Sequence, residues 1–183
     1  MTIDEIFTKL ATHMINGLMY HDEFARAYDF MGLYGFAKLH RYHYIEELIN
    51  YNRLLEYYNK FYRKLLKIEN PNSQNIIPES WFKYTTLDVD TGTKKSSIKE
   101  LMNTWIKWEK ETKEFYQSMY NELLSIQEVD AAEYIKYYIH DVSKELCHAE
   151  KKLIKLETIN YDIVHIAEWQ SDLYNKYKKK LGW

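Results

Sequence analysis

Breakers of regular structure are almost absent from this chain. Its 183 residues include only five glycines and two prolines, and both prolines, Pro71 and Pro78, fall in one short segment. Proline removes a backbone donor and clashes with the preceding turn, and glycine weakens a helix interior. A chain this long with so few of either is expected to be all-α, built from long uninterrupted helices. Apolar spacing agrees. Ile3, Ile6, Phe7, Leu10, Met14, Leu18, Phe24 and Tyr28 recur at helical intervals, which predicts a first helix over about 3–30. Thr2 is its expected N-cap, with Glu5 completing a capping box.

The glycine-containing stretch FMGLYGF, 30–36, reads as a tight turn into a second helix over about 36–68. One face of that helix carries Phe36, Leu39, His43, Glu47, Asn50, Leu54, Phe61 and Leu65. Residues 69–97 hold both prolines and form the long non-helical link. A third helix is expected over about 97–124, capped by Ser97 and Glu100, with Leu101, Trp105, Trp108, Thr112, Phe115 and Met119 inward. A fourth over about 130–158 turns Ile135, Ile139, Val142, Leu146, Ala149, Leu153 and Leu156 inward, and a shorter fifth covers about 161–180.

Connection lengths constrain how these helices meet. A helix of 28 residues is about 40 Å long at 1.5 Å per residue. Helices joined by tight turns are antiparallel neighbours, whereas the long link can run the full length of a bundle. The expected architecture is a four-helix up-down-down-up bundle with one long crossover and a short helix after it, within a single domain.

Composition removes several functions. The formal charge of −2 argues against a dedicated nucleic-acid binder, which needs a basic surface. The lysine cluster Lys176, Lys178, Lys179 and Lys180 suits the negative end of a helix dipole. A single cysteine, Cys147, excludes an internal disulfide and fits a reducing, cytoplasmic setting. Neither a membrane span nor a secretory leader is expected.

Carboxylates on apolar helix faces carry the chemistry. Glu47 sits on the inward face of helix two, Glu145 lies between Val142 and Ala149, and Glu109 borders the stripe of helix three. Helix one offers His13 and His21. Buried carboxylates need a partner or a cation. Carboxylates from two helices with Glu-x-x-His on the others are the bundle recipe for two iron ions. Oxygen ligands with one or two imidazoles suit Fe(II), Mn(II) or Zn(II). Blander readings stand beside these. Helices rich in Glu, Lys and His produce the spacing Glu145-x-x-His148 by chance. Glu46 and Glu47 can be a solvated pair, the histidines satisfied core residues, and the tryptophans packing. Asp88 and Asp90 fit only part of a calcium loop.

The stretch FARAYDFMGLYGFAKLHRYHYIEELINYNRLLEYY, 24–58, resembles the first turn and second helix of ferritins and bacterioferritins. WIKWEKETKEFYQSMYNELL and AAEYIKYYIHDVSKELCHAEKKL are similar to their third and fourth helices in length, order and carboxylate placement. The resemblance implies iron oxidation and storage in a many-subunit homo-oligomeric cage. It places Glu47 as the bridging carboxylate, Asn50 where the family has a histidine ligand, Glu109 as the third-helix carboxylate, and Glu145 with His148 as a fourth-helix pair. The first-helix carboxylate falls on Met14 or Gly17, neither of which binds iron, and His13 or His21 is the substitute available. Two other readings follow from these departures: a DNA-protecting mini-ferritin using the lysine tail, and an inactive bundle kept as a binding module.

Overall fold

The computed structural model describes residues 1–68, 77 and 89–182. Among the described residues five helices follow in order: α1 (Ile3–Phe30), α2 (Tyr34–Tyr62), α3 (Thr91–Ser125), α4 (Val129–Thr158) and α5 (Ile163–Leu181). The α1 capping box forms as expected. The Thr2 N–H donates to Glu5 Oε2 at 2.8 Å, and the Glu5 N–H donates to Thr2 Oγ1 at 3.3 Å.

Three boundaries differ from the sequence reading. The first turn is confined to Met31–Leu33, with Gly32 at φ +75°, and Gly35 is already helical. Gly35 is there for space. A Cβ at this position would lie 1.9 Å from the carbonyl oxygen of Gln170, so α2 and α5 touch through bare backbone. Helix α2 stops at Tyr62 rather than running to 68, because Arg63 adopts a left-handed conformation (φ 53°) and caps Asn59. Residues beyond it fold back on the start of α1. Lys64 pairs with Asp4 at 3.2 Å, and Thr8 Oγ1 donates to the Lys67 carbonyl at 2.9 Å. Helix α3 starts at Thr91, not 97. Asp90 is its cap, accepting from the Thr93 N–H at 2.9 Å, and Ser97 lies inside the helix. Asp90 is therefore explained without calcium, while Asp88 lies outside the described residues.

The core forms two apolar clusters stacked along the bundle. One holds Ile6, Phe7 and Leu10 of α1, Leu54 and Tyr58 of α2, Met119 and Leu123 of α3, and Ala131 and Ile135 of α4. The other joins Phe24 and Tyr28, Phe36 and Leu39, Ile98 and Leu101, and Ala149 and Leu156, with Ile166, Leu173 and Tyr177 of α5. Burying a large apolar side chain contributes about 1.5–3 kcal/mol, so these clusters hold the bundle together. They also give the direction of each helix. α1 and α4 run from the first cluster to the second, and α2 and α3 run back. Leu66 and Ile68 pack on the first cluster and Ile77 on the second. This is the expected up-down-down-up order.

Helix α5 turns back along α2. Its Tyr177 meets Tyr42 with ring centroids 5.4 Å apart, and Lys180 Nζ lies 4.3 Å over the Tyr42 ring. Among the described residues, no helix is long and apolar enough to cross a membrane.

Candidate metal centre

Between the two apolar clusters the bundle carries a polar layer to which α1, α2, α3 and α4 all contribute. From α1 come Gly17 and His21. From α2 come His40, His43, Glu46, Glu47 and Asn50. Glu109 and Thr112 come from α3, and Asp141 and Glu145 from α4. Gly17 faces Glu47 directly, since a Cβ on it would sit 3.4 Å from the Glu47 carboxyl carbon. Because α1 and α2 are antiparallel, four residues on in α1 matches four residues back in α2. His21 and His43 meet there, their rings 5.3 Å apart.

Two groups of ligand atoms converge in this layer, His21 with Glu109 and Glu145, and His43 with Glu46 and Glu145, all within 4.8 Å inside each group. Glu145 belongs to both. His43 Nδ1 lies 3.0 Å from Glu145 Oε1 and 3.4 Å from Glu46 Oε2. His21 Nε2 lies 4.0 Å from Glu109 Oε1, which accepts from the Trp105 indole N–H at 2.7 Å. Glu46 and Asp141 also line an open pocket of about 330 Å³ between α2, α4 and the end of α5. That pocket links the layer to the surface.

Electrostatics sort the groups. Burial pushes the His43 imidazole down, but the carboxylates of Glu145 and Glu46 outweigh it and raise it to about 10. Burial opposes ionisation of Glu145 as well, yet His43 holds it below its ordinary value. These two form an ion pair. Burial, then the neighbouring Glu145 and Asp141, raise Glu47 to about 8. Burial and Glu145 raise Glu109 well above the ordinary carboxyl range. Burial lowers His21 to about 3.

Several polar atoms are nonetheless shut off from solvent and unpaired: Nε2 of His21, His40 and His43, and Oε2 of Glu47. A buried polar group without a partner costs roughly 1–3 kcal/mol. Glu47 Oε2, and His21 Nε2 when its proton sits on Nδ1, are acceptors that a cation would satisfy, and His43 would bind one through Nδ1 on giving up its proton, so the residues present fit a metal ion.

The residues expected from sequence fall into three sets. His21, Glu109 and Glu145 come together as one group of candidate ligands. Glu47 stands beside them, its carboxyl inside the bundle against Gly17. Asn50 is buried but turned to α4, where its side-chain amide donates to Asp141 Oδ2 at 3.4 Å. His148 is exposed and belongs to neither group. Three residues past Glu145 it is rotated about 60° further from the buried stripe, and Ala149 takes the inward place. His13 is also engaged elsewhere. It bonds Thr112 Oγ1 at 3.0 Å and stacks on Phe115 at 4.2 Å.

Sequence reasoning missed His40, His43, Glu46 and Asp141 as candidates. A signal for two of them existed, because His40, His43 and Glu47 share one helical stripe at spacings of three and four. Glu46 and Asp141 lie off the apolar stripes and gave none.

No family model and no curated protein matches the sequence. Solved ferritins match the structure. A closed form of Archaeoglobus fulgidus ferritin made by site-directed mutagenesis is 15% identical, with a TM-score of 0.73 over 95% of this chain and 96% of that one. The open-pore ferritin from the same archaeon is 16% identical and gives 0.71 over 93% of each chain. Apo-ferritin from Pseudo-nitzschia multiseries is 10% identical and gives 0.74 over 92% of this chain and 96% of that one. The chain therefore has the ferritin-like fold. At these identities the likeness is one of fold, and the chemistry has to be argued from the residues of this chain.

Proposed function

We propose that this chain is a ferritin-like iron-binding protein. It takes Fe(II) into the polar layer, oxidises it slowly and stores it as one subunit of a cytoplasmic homo-oligomeric cage. The observation that carries the reading is the convergence of His21, His43, Glu46, Glu109 and Glu145 from four helices, with imidazole nitrogens left unpaired inside the bundle. A purely structural polar layer would satisfy those atoms internally. The solved ferritins of the same fold support the choice of iron.

Iron is the substrate here. Each Fe(II) that becomes Fe(III) gives one electron to dioxygen or peroxide. Carboxylates hold the harder ferric ion better than the ferrous one, while an imidazole completes the coordination. Each group supplies one imidazole and two carboxylates, and Glu145 can span both positions. Mn(II) and Zn(II) suit the same donors and would compete. Slow turnover follows from what is missing. Gly17 brings no carboxylate to the α1 side, and the amide of Asn50 is committed to Asp141.

Anaerobic Fe(II) titration tests the reading. Saturable binding in the wild type, abolished by Glu47→Ala with Glu145→Ala, is the expected result. Absence of saturable binding in the wild type would leave an inactive bundle. Particle mass by light scattering should give a many-subunit assembly. Lys178, Lys179 and Lys180 occupy the last turn of α5, where cations suit the helix dipole. A salt-dependent DNA gel shift lost on removing residues 176–183 would instead favour a DNA-protecting role.

A further inference from the structure

His21 and His40 are both fully buried, and their Nδ1 atoms face each other at 3.1 Å. In such a contact one ring must donate and the other accept. A neutral imidazole carries one N–H, so this contact also decides what each ring presents at Nε2. With His40 as donor, His21 must carry its proton on Nε2, where Glu109 Oε1 at 4.0 Å is too distant to accept it. With His21 as donor, its Nε2 is a bare lone pair directed into the group formed with Glu109 and Glu145. Either arrangement leaves one buried N–H unpaired. Only the second lets His21 bind a cation in the group with Glu109 and Glu145.

We propose that His40 is a positioning residue: it accepts the Nδ1 proton of His21 and so presents His21 Nε2 as the ligand that α1 contributes where Gly17 offers no carboxylate. The proposal rests on the metal-binding reading above. Metal-ligating histidines donate their second ring N–H to a fixed acceptor, which sets both tautomer and ring orientation. A carboxylate or carbonyl is the usual acceptor, and here a second imidazole takes that place. His40 is well held for the task. It stacks on Phe24 at 4.8 Å and on Tyr28 at 5.4 Å, and it meets Trp105 edge-to-face at 4.7 Å. Its ring therefore cannot turn away from His21 without opening the apolar cluster beneath the layer.

Zn(II) is a suitable probe because it does not change oxidation state and is silent in magnetic resonance. The full-length protein, labelled with ¹⁵N-histidine, would be titrated with Zn(II) as wild type, His40→Asn and His40→Leu. Asn places an amide oxygen near the position of Nδ1 and keeps an acceptor, whereas Leu removes it. The expected spectrum at saturation shows His21 protonated on Nδ1 and bound through Nε2. Affinity should fall roughly 10- to 100-fold in His40→Leu, the range for loss of such an outer partner, and recover in His40→Asn. A packing role alone predicts the reverse order, because Leu suits the pocket of Phe24, Tyr28 and Trp105 better than Asn. Wild-type affinity in a folded His40→Leu, or a His21 that keeps its proton on Nε2 at saturation, overturns the proposal. A wild type that binds no Zn(II) and no Fe(II) overturns the metal reading itself, which is a separate result.

Discussion

The polar layer has two unlike halves. On the α3–α4 side, Glu109 and Glu145 both reach into the layer as carboxylates. On the α1–α2 side the expected level is depleted, with Gly17 opposite Glu47 and an Asn50 already bonded to α4. One helical turn nearer the α1–α2 turn, His21 approaches Glu109 and Glu145, and His43 approaches Glu145 and Glu46. Polar side chains from α1 and α2 therefore meet the α3 and α4 carboxylates a turn away from the level of Gly17 and Asn50. Antiparallel helices bring the next turn of each partner into register as well.

Breaking the shared carboxylate should have the largest effect. Glu145→Gln removes the one ligand common to both groups and leaves the buried charge of His43 facing only Glu46. Fe(II) stoichiometry in anaerobic titration should fall to zero. Apo-protein stability in urea should drop by roughly 3–5 kcal/mol, the usual cost of breaking a buried ion pair from one side.

Alkaline pH should loosen the α2 contribution more gently. His43 binds its proton more tightly in the folded chain, with its ordinary 6.5 raised to about 10, so its stabilisation is complete below pH 6.5 and lost as pH rises towards 10. Glu47 acts in the same sense between its ordinary 4.5 and about 8. Stability of the apo protein should therefore fall as pH rises, most steeply between 6.5 and 8, where both windows overlap. His43→Gln should remove the part above pH 8, read from urea midpoints across the range.

Substitutions at Gly17 act on the side that lacks a carboxylate. A methyl group there meets the Glu47 carboxyl at ordinary contact distance, so Gly17→Ala should stabilise the apo protein by about 0.5–1 kcal/mol through helix propensity. Gly17→Glu places a second carboxyl against Glu47. Its melting temperature without metal should be lower than that of Gly17→Ala, and the rise on adding Fe(II) should exceed that of the wild type. The smallest effect belongs to His148→Ala, which changes an exposed side chain in neither group. Stability should move by less than about 0.5 kcal/mol, with unchanged Fe(II) affinity.

How far these features were legible varies along the chain. The all-α class and the up-down-down-up order followed from scarce breakers, helical apolar spacing and one long link between two tightly joined pairs. The Thr2–Glu5 cap was a local motif and formed as read. Glu109 and Glu145 were visible as carboxylates on or beside apolar stripes. His148 misled because spacing of three along a helix leaves it open which of the two residues faces inward. The early stop of α2 at Tyr62 and the early start of α3 at Thr91 depended on Arg63 turning left-handed and on Asp90 accepting the Thr93 N–H.

Periodicity in the chain settles which residues share a helix face, and hence the bundle and its candidate carboxylates. Tertiary structure alone decided which turn of α1 meets which turn of α2. It thereby brought the rings of His21, His40 and His43 together inside the bundle and docked α5 against Gly35. The reason is geometric. Periodicity fixes the rotation of a residue about its own helix axis. The offset between two helices along their axes is set only by the length of the turn joining them and by the side chains that interlock across the interface.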